Sequence, residues 1–167
     1  MMKRLFFSFL VTFSALAAVA TDSVTIKTLF KEMPDSVIPY LSKNNRLDLI
    51  DFMESNMKAE ITNAFGGKSL MTALTNDYIN IRLNAVCQLD ILLLSTIQTT
   101  DNQSYIIAIV RTVGNENDVI ESESPQFYTV DWKPLTAVPL LTDTDRKRLE
   151  SHVKPLKISK FPDKAIN

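Results

Sequence analysis

The chain has 167 residues, with 18 Lys and Arg against 19 Asp and Glu, one His, one Cys and three Gly. A near-neutral balance without a basic run argues against nucleic acid or an anionic membrane surface as a partner. One cysteine excludes an internal disulfide, one histidine leaves a nitrogen and sulfur metal site short of ligands, and no cofactor or metal is expected.

Met1 to Ala20 has the layout of a secretory signal peptide. Lys3 and Arg4 give the positive start, Leu5 to Ala17 is apolar apart from small hydroxyl residues, and Ala18-Val19-Ala20 offers the small-x-small cleavage site. The run falls short of the roughly 20 residues that a spanning helix needs. Thr21-Asp22-Ser23 follows it instead of a basic stop-transfer cluster, and no cysteine stands at the cut for lipid attachment. The expected product is a soluble, exported chain with no transmembrane span. Residues 21–167 have the size of one domain and contain no linker, repeat or low-complexity tract. Lys154, Lys157, Lys160 and Lys164 gather in a tail, irregular from about residue 154, that Pro155 and Pro162 interrupt.

Helices come first. Thr28 to Met33 reads as a helix end stopped by Pro34, and Asp35-Ser36 as the cap of a short turn through Leu41. Asn44 or Asn45 is the expected N-cap of a helix over Arg46 to Met57. Its 100° steps place Leu49, Ile50, Met53 and Met57 on one arc and Asp48, Asp51 and Glu54 opposite. Those carboxylates have the chemistry for calcium, but an acidic outer face is also what solubility requires.

After Lys58 the period becomes two. Ala59 to Phe65 and Leu70 to Thr75 read as paired strands around a Gly66-Gly67 turn. Ile79, Ile81 and Leu83 then alternate with Asn80, Arg82 and Asn84, giving one apolar and one wet face. Gln88 to Leu94 is nearly all apolar beyond Asp90, as a central strand covered on both faces would be. Cys87 beside it reads as a small buried hydrophobe. Asp101-Asn102-Gln103 is a loop, Tyr105 to Val113 a strand, Asn115 to Ser124 an exposed acidic loop, and Gln126 to Lys133 a last strand closed by Pro134. A helix follows within Leu140 to Val153, opening at Thr142 or Thr144. Helices followed by strands without strict alternation indicate an α+β fold. The expected architecture is N-terminal short helices, a single antiparallel meander of five or six strands with helices on its apolar face, and a C-terminal helix.

Few residues offer chemistry. His152 has no nucleophile or orienting partner marked by spacing, and reads as a solvated side chain near a helix end. Gly66-Gly67-Lys68-Ser69 superficially resembles a phosphate loop, but Thr62 stands where its first glycine belongs. Asn115 to Asp118 lacks the alternation and terminal Glu of a calcium loop. Tyr128, Val130 and Trp132 share one strand face, opposite Phe127. Turned outward, Tyr128 and Trp132 form an aromatic platform that stacks on sugars or docks a partner; turned inward, they pack as core.

Met33-Pro34-Asp35-Ser36, Pro39-Tyr40-Leu41 and the run Asn44 to Phe52, with Met71 to Thr75 and Asp77-Tyr78, resemble a family of uncharacterised exported proteins of Bacteroidales-type bacteria. That family is classed as a domain of unknown function, so the resemblance transfers no catalytic residue. It implies the periplasm or the cell surface of a Gram-negative bacterium. The reading is a non-enzymatic envelope module binding an unknown envelope protein or small ligand. The alternatives are a hydrolase acting on an envelope or dietary polymer, with Asp, Glu or His152 as acid and base, or a carrier of a hydrophobic ligand.

Overall fold

In a computed structural model, residues 24–97, 105–114 and 119–153 are described. The segment Met1 to Ala20, the Asp101-Asn102-Gln103 and Asn115 to Asp118 loops, and the tail from residue 154 lie outside them.

The first helix, α1 (Ile26–Glu32), begins where Thr25 accepts the backbone N–H of Thr28 and the Thr28 side chain bonds back to the cap. Reciprocal bonding of this kind satisfies two donors that the helix start leaves free. It stops at Met33, ahead of Pro34, as the sequence suggests. The second, α2 (Lys43–Glu54), starts earlier than expected. Ser42 is its N-cap, and Asn45 sits one turn in, accepting the Ser42 N–H in return. Asn56 takes a left-handed φ of 54°, which ends the helix before Met57. Met57 is therefore exposed, and Arg46 joins Leu49 and Ile50 on the buried face.

Among the described residues eight strands follow: β1 (Glu60–Thr62), β2 (Lys68–Leu74), β3 (Tyr78–Asn84), β4 (Cys87–Ser95), β5 (Tyr105–Gly114), β6 (Val119–Ser122), β7 (Gln126–Thr129) and β8 (Pro134–Leu135). They form one open antiparallel sheet whose path runs through seven strands, β1-β2-β3-β4-β5-β7-β8, with β6 paired to β5 beside β7. The expectation of five or six strands is thus too low. Part of the supposed exposed loop is β6, registered through Thr112 with Ser122 and Val113 with Glu121. The supposed last strand ends at Thr129, turns at Trp132 and returns as β8. At the β1–β2 turn, Gly66 has a φ of 81°. The buried Asn63 side chain accepts the N–H groups of Phe65 and Gly67 there, so Gly66-Gly67 serves a hairpin and not a phosphate.

The third helix, α3 (Asp143–His152), opens at Thr142, one of the two expected positions. The sheet carries helices on both faces, as the two-sided covering expected of the Gln88 to Leu94 strand requires, and not on one apolar face alone. Leu89, Ile91, Leu93, Ile107 and Ile109 join Phe30, Leu49 and Ile50 in the core under α1 and α2. The alternate residues Leu92, Leu94, Ile106, Ala108 and Val110 join Leu141 and Leu149 under α3. Double coverage is why β4 is apolar on both sides. Among the described residues no helix is long and apolar enough to cross a membrane.

Candidate functional site

The helix α3 is tied to the sheet at both ends. Asp145 in its first turn accepts the Ser95 N–H at 2.8 Å, while Thr142 accepts the Asp145 N–H at 3.2 Å. An acidic first turn also suits the positive end of the helix. Arg148 donates to the carbonyls of Asp77 at 2.7 Å and Leu93 at 3.2 Å. With His152, these side chains recur at helical spacing and face β3 and β4.

Beneath that face lies a buried carboxylate. Asp90 is paired across the sheet with Asn80, and its side chain is 5 % exposed. It accepts the Tyr78 hydroxyl at 2.5 Å and Asn80 Nδ2 at 2.7 Å, and His152 Nδ1 lies 3.4 Å from the same oxygen. The Thr72 hydroxyl donates to Asn80 Oδ1, and the Tyr78 ring centroid is 4.8 Å from that of His152. Asn80, expected on a wet face, is buried, and the expectation of a solvated His152 gives way to a half-buried ring against Asp90. Asn80 is held within the sheet by Thr72 and Asp90, while α3 lays His152 against Asp90. Among the described residues no hydroxyl or thiol is hydrogen-bonded to His152, whose one charged neighbour there is Asp90.

Burial pushes the Tyr78 phenol well above its ordinary range, reinforced by its hydrogen bond to Asp90 and by the charge of that carboxylate. The native state thus favours the neutral phenol. Its stabilising contribution is complete below the ordinary tyrosine value of about 10 and is lost as pH rises through the higher native value. Ultraviolet titration should show a late-ionising phenol that Tyr78→Phe removes, and wild-type stability should fall above about pH 10. A curve unchanged by Tyr78→Phe would contradict this placement.

On its other side α3 borders a cleft of about 510 Å³. Phe127, Leu141 and Leu149 are its buried lining, and Val153, Pro125 and Pro139 continue the apolar wall. Two apolar side chains at the cleft stay in solvent, Val138 at 79 % and Leu140 at 52 % exposure. Arg146 and Glu150 on α3 supply opposite charges. A second hollow of about 360 Å³ shares Pro125, Phe127 and Val138 and reaches Tyr128 and Pro134.

Tyr128 and Trp132 meet with ring centroids 5.9 Å apart, and they are placed unequally. Tyr128 lines the second hollow while packing partly against the core of α1 and α2. Trp132 is turned inward at 6 % exposure, and its indole N–H donates to the Leu29 carbonyl at 2.9 Å. A φ of 62° at Trp132 tightens the turn and directs the ring under α1.

Cys87 is half-buried, and burial raises its thiol above the usual range. Asp48, Asp51 and Glu54 are exposed, and Lys27 engages Glu54 at 2.5 Å. The cleft itself was missed in the sequence. Its signal was the apolar content of Val138, Leu140 and Leu141 in a segment with prolines at 134 and 139, where a plain loop would be polar.

The profile of a family described as "Protein of unknown function (DUF3256)" matches residues 18–164. No curated protein matches the sequence. Among solved structures, a domain of an uncharacterized protein from Porphyromonas gingivalis W83 is similar, at 24 % identity and a TM-score of 0.50. The match covers 67 % of this chain and 54 % of that one, so it spans about half of the neighbour's length and bears on the fold alone.

Proposed function

The chain belongs to the DUF3256 family, a family of unknown function, and we propose that it is an exported, non-enzymatic interaction module of the Gram-negative envelope that seats an apolar segment of a protein partner in the cleft beside α3. The cleft carries this reading. Its volume lies within the roughly 300–1,000 Å³ of ligand sites, and Val138 and Leu140 leave apolar surface in water beside it. The Met1 to Ala20 segment supports export. The contact of His152 with Asp90 is the one observation favouring a hydrolase, but Tyr78 and Asn80 already occupy that carboxylate.

Capture from envelope extract by the immobilised processed chain tests the reading. Wild type should retain a specific partner that Leu140→Asp loses, while Val86→Asp, in the exposed β3–β4 turn, retains it. Calcium, glycans and fatty acids should leave the melting temperature unchanged. Capture insensitive to Leu140→Asp would overturn the proposal, as would a fatty-acid shift abolished by that variant, which marks a lipid carrier.

A further inference from the structure

We propose that the partner seated on this cleft is a second copy of the chain, joined about a two-fold axis with the two α3 helices antiparallel; the inference rests on the reading of the cleft as an interaction face. Arg146 and Glu150 stand one turn apart on α3, both exposed and both at the cleft. Neither side chain has an ion pair or hydrogen bond with another described residue. Opposite charges at this spacing pair most readily with the acid nearer the helix start, and here the order is reversed.

Both charges lie beside the apolar strip of Leu149 and Val153. A two-fold contact is self-complementary: where residue i of one copy meets residue j of the other, j also meets i. With the axis level with Arg148, Arg146 of one copy faces Glu150 of the other, and the same pair recurs across the axis. Val138 and Leu140 supply the apolar ridge and the cleft supplies the hollow, so one surface carries both halves of the fit. A fatty-acid carboxylate would satisfy Arg146 but be repelled by Glu150.

Sedimentation of the processed chain over a wide concentration range tests this. Wild type should show a concentration-dependent dimer. Arg146→Glu and Glu150→Arg should each weaken it at least about tenfold, because each sets like charges face to face. The double exchange should restore it to near wild type. Both positions are exposed, and circular dichroism confirms that each variant folds. A wild-type monomer at every concentration, single reversals without effect, or failure of the double exchange to rescue would overturn the dimer. If the chain is monomeric while envelope capture is still lost with Leu140→Asp, the dimer fails and the cleft reading survives. If capture is also insensitive to Leu140→Asp, both fail.

Discussion

Arg46→Ala should destabilise the protein by about 3–5 kcal/mol, the loss typical of a buried charged network broken from one side. Arg46 is 1 % exposed inside the helical layer. Its guanidinium donates to the Leu41 carbonyl at 2.7 Å and to the Met33 carbonyl, so it fastens the turn between α1 and α2. It also reaches Asp35 at 2.7 Å, but that carboxylate is 61 % exposed. The two carbonyls, left without a donor in a dry interior, dominate the loss. Arg46→Met should recover packing but not hydrogen bonding, and so fall between alanine and wild type. Asp35→Asn should cost under about 1 kcal/mol, as screened surface pairs do. At roughly 2–4 °C per kcal/mol for a chain of this size, Arg46→Ala lowers the melting temperature by about 10 °C. Thermal unfolding of the three variants checks the order, and an Asp35→Asn loss equal to that of Arg46→Ala would contradict it.

Trp132→Ala should cost a similar amount, about 3–5 kcal/mol, as deletion of a buried aromatic does. The ring packs in the core beneath α1, and its N–H holds the Leu29 carbonyl. Trp132→Phe keeps most of the packing, loses the hydrogen bond and should cost less. As the sole tryptophan, residue 132 reports on itself. Its fluorescence should be blue-shifted and resist acrylamide until the protein unfolds. Easily quenched emission, with wild-type stability in Trp132→Ala, would place the ring in solvent.

What was legible in the sequence was local. Pro34, Thr142 at the start of α3, the Gly66-Gly67 turn and the alternation through Ile79, Ile81 and Leu83 mark elements through forces acting within a few residues, whereas the Ser42 cap of α2 does not stand out beside Asn44 and Asn45. Less legible were consequences of α3 folding over residues far earlier in the chain. Asn80 looks like a solvent-facing position until its side chain meets Asp90, over which His152 lies. The double coverage of β4 was visible in its unbroken apolar run, yet nothing local named the helix that covers the second face. Strand β6 escaped because its surroundings are rich in Asn and Glu, which favour loops, and β8 because it is two residues long and opens with proline. Arg46 was hidden for another reason: periodicity puts it on the buried arc, but a charge there is tolerated only when carbonyls from another segment converge on it. Of the candidate site, Tyr128, Trp132 and His152 were named individually. The cleft was not, because its walls come from β7, the 138–141 segment and α3.

The most direct test of the proposed binding face is photo-crosslinking in cells that express the protein, with a photoreactive phenylalanine analogue placed singly at Leu140, Met57 or Val86. All three positions are exposed, and only Leu140 borders the cleft. Adducts from position 140, with none from 57 or 86, are expected. Adducts from 57 or 86 with position 140 silent would contradict the assignment of the cleft beside α3 as the interaction face.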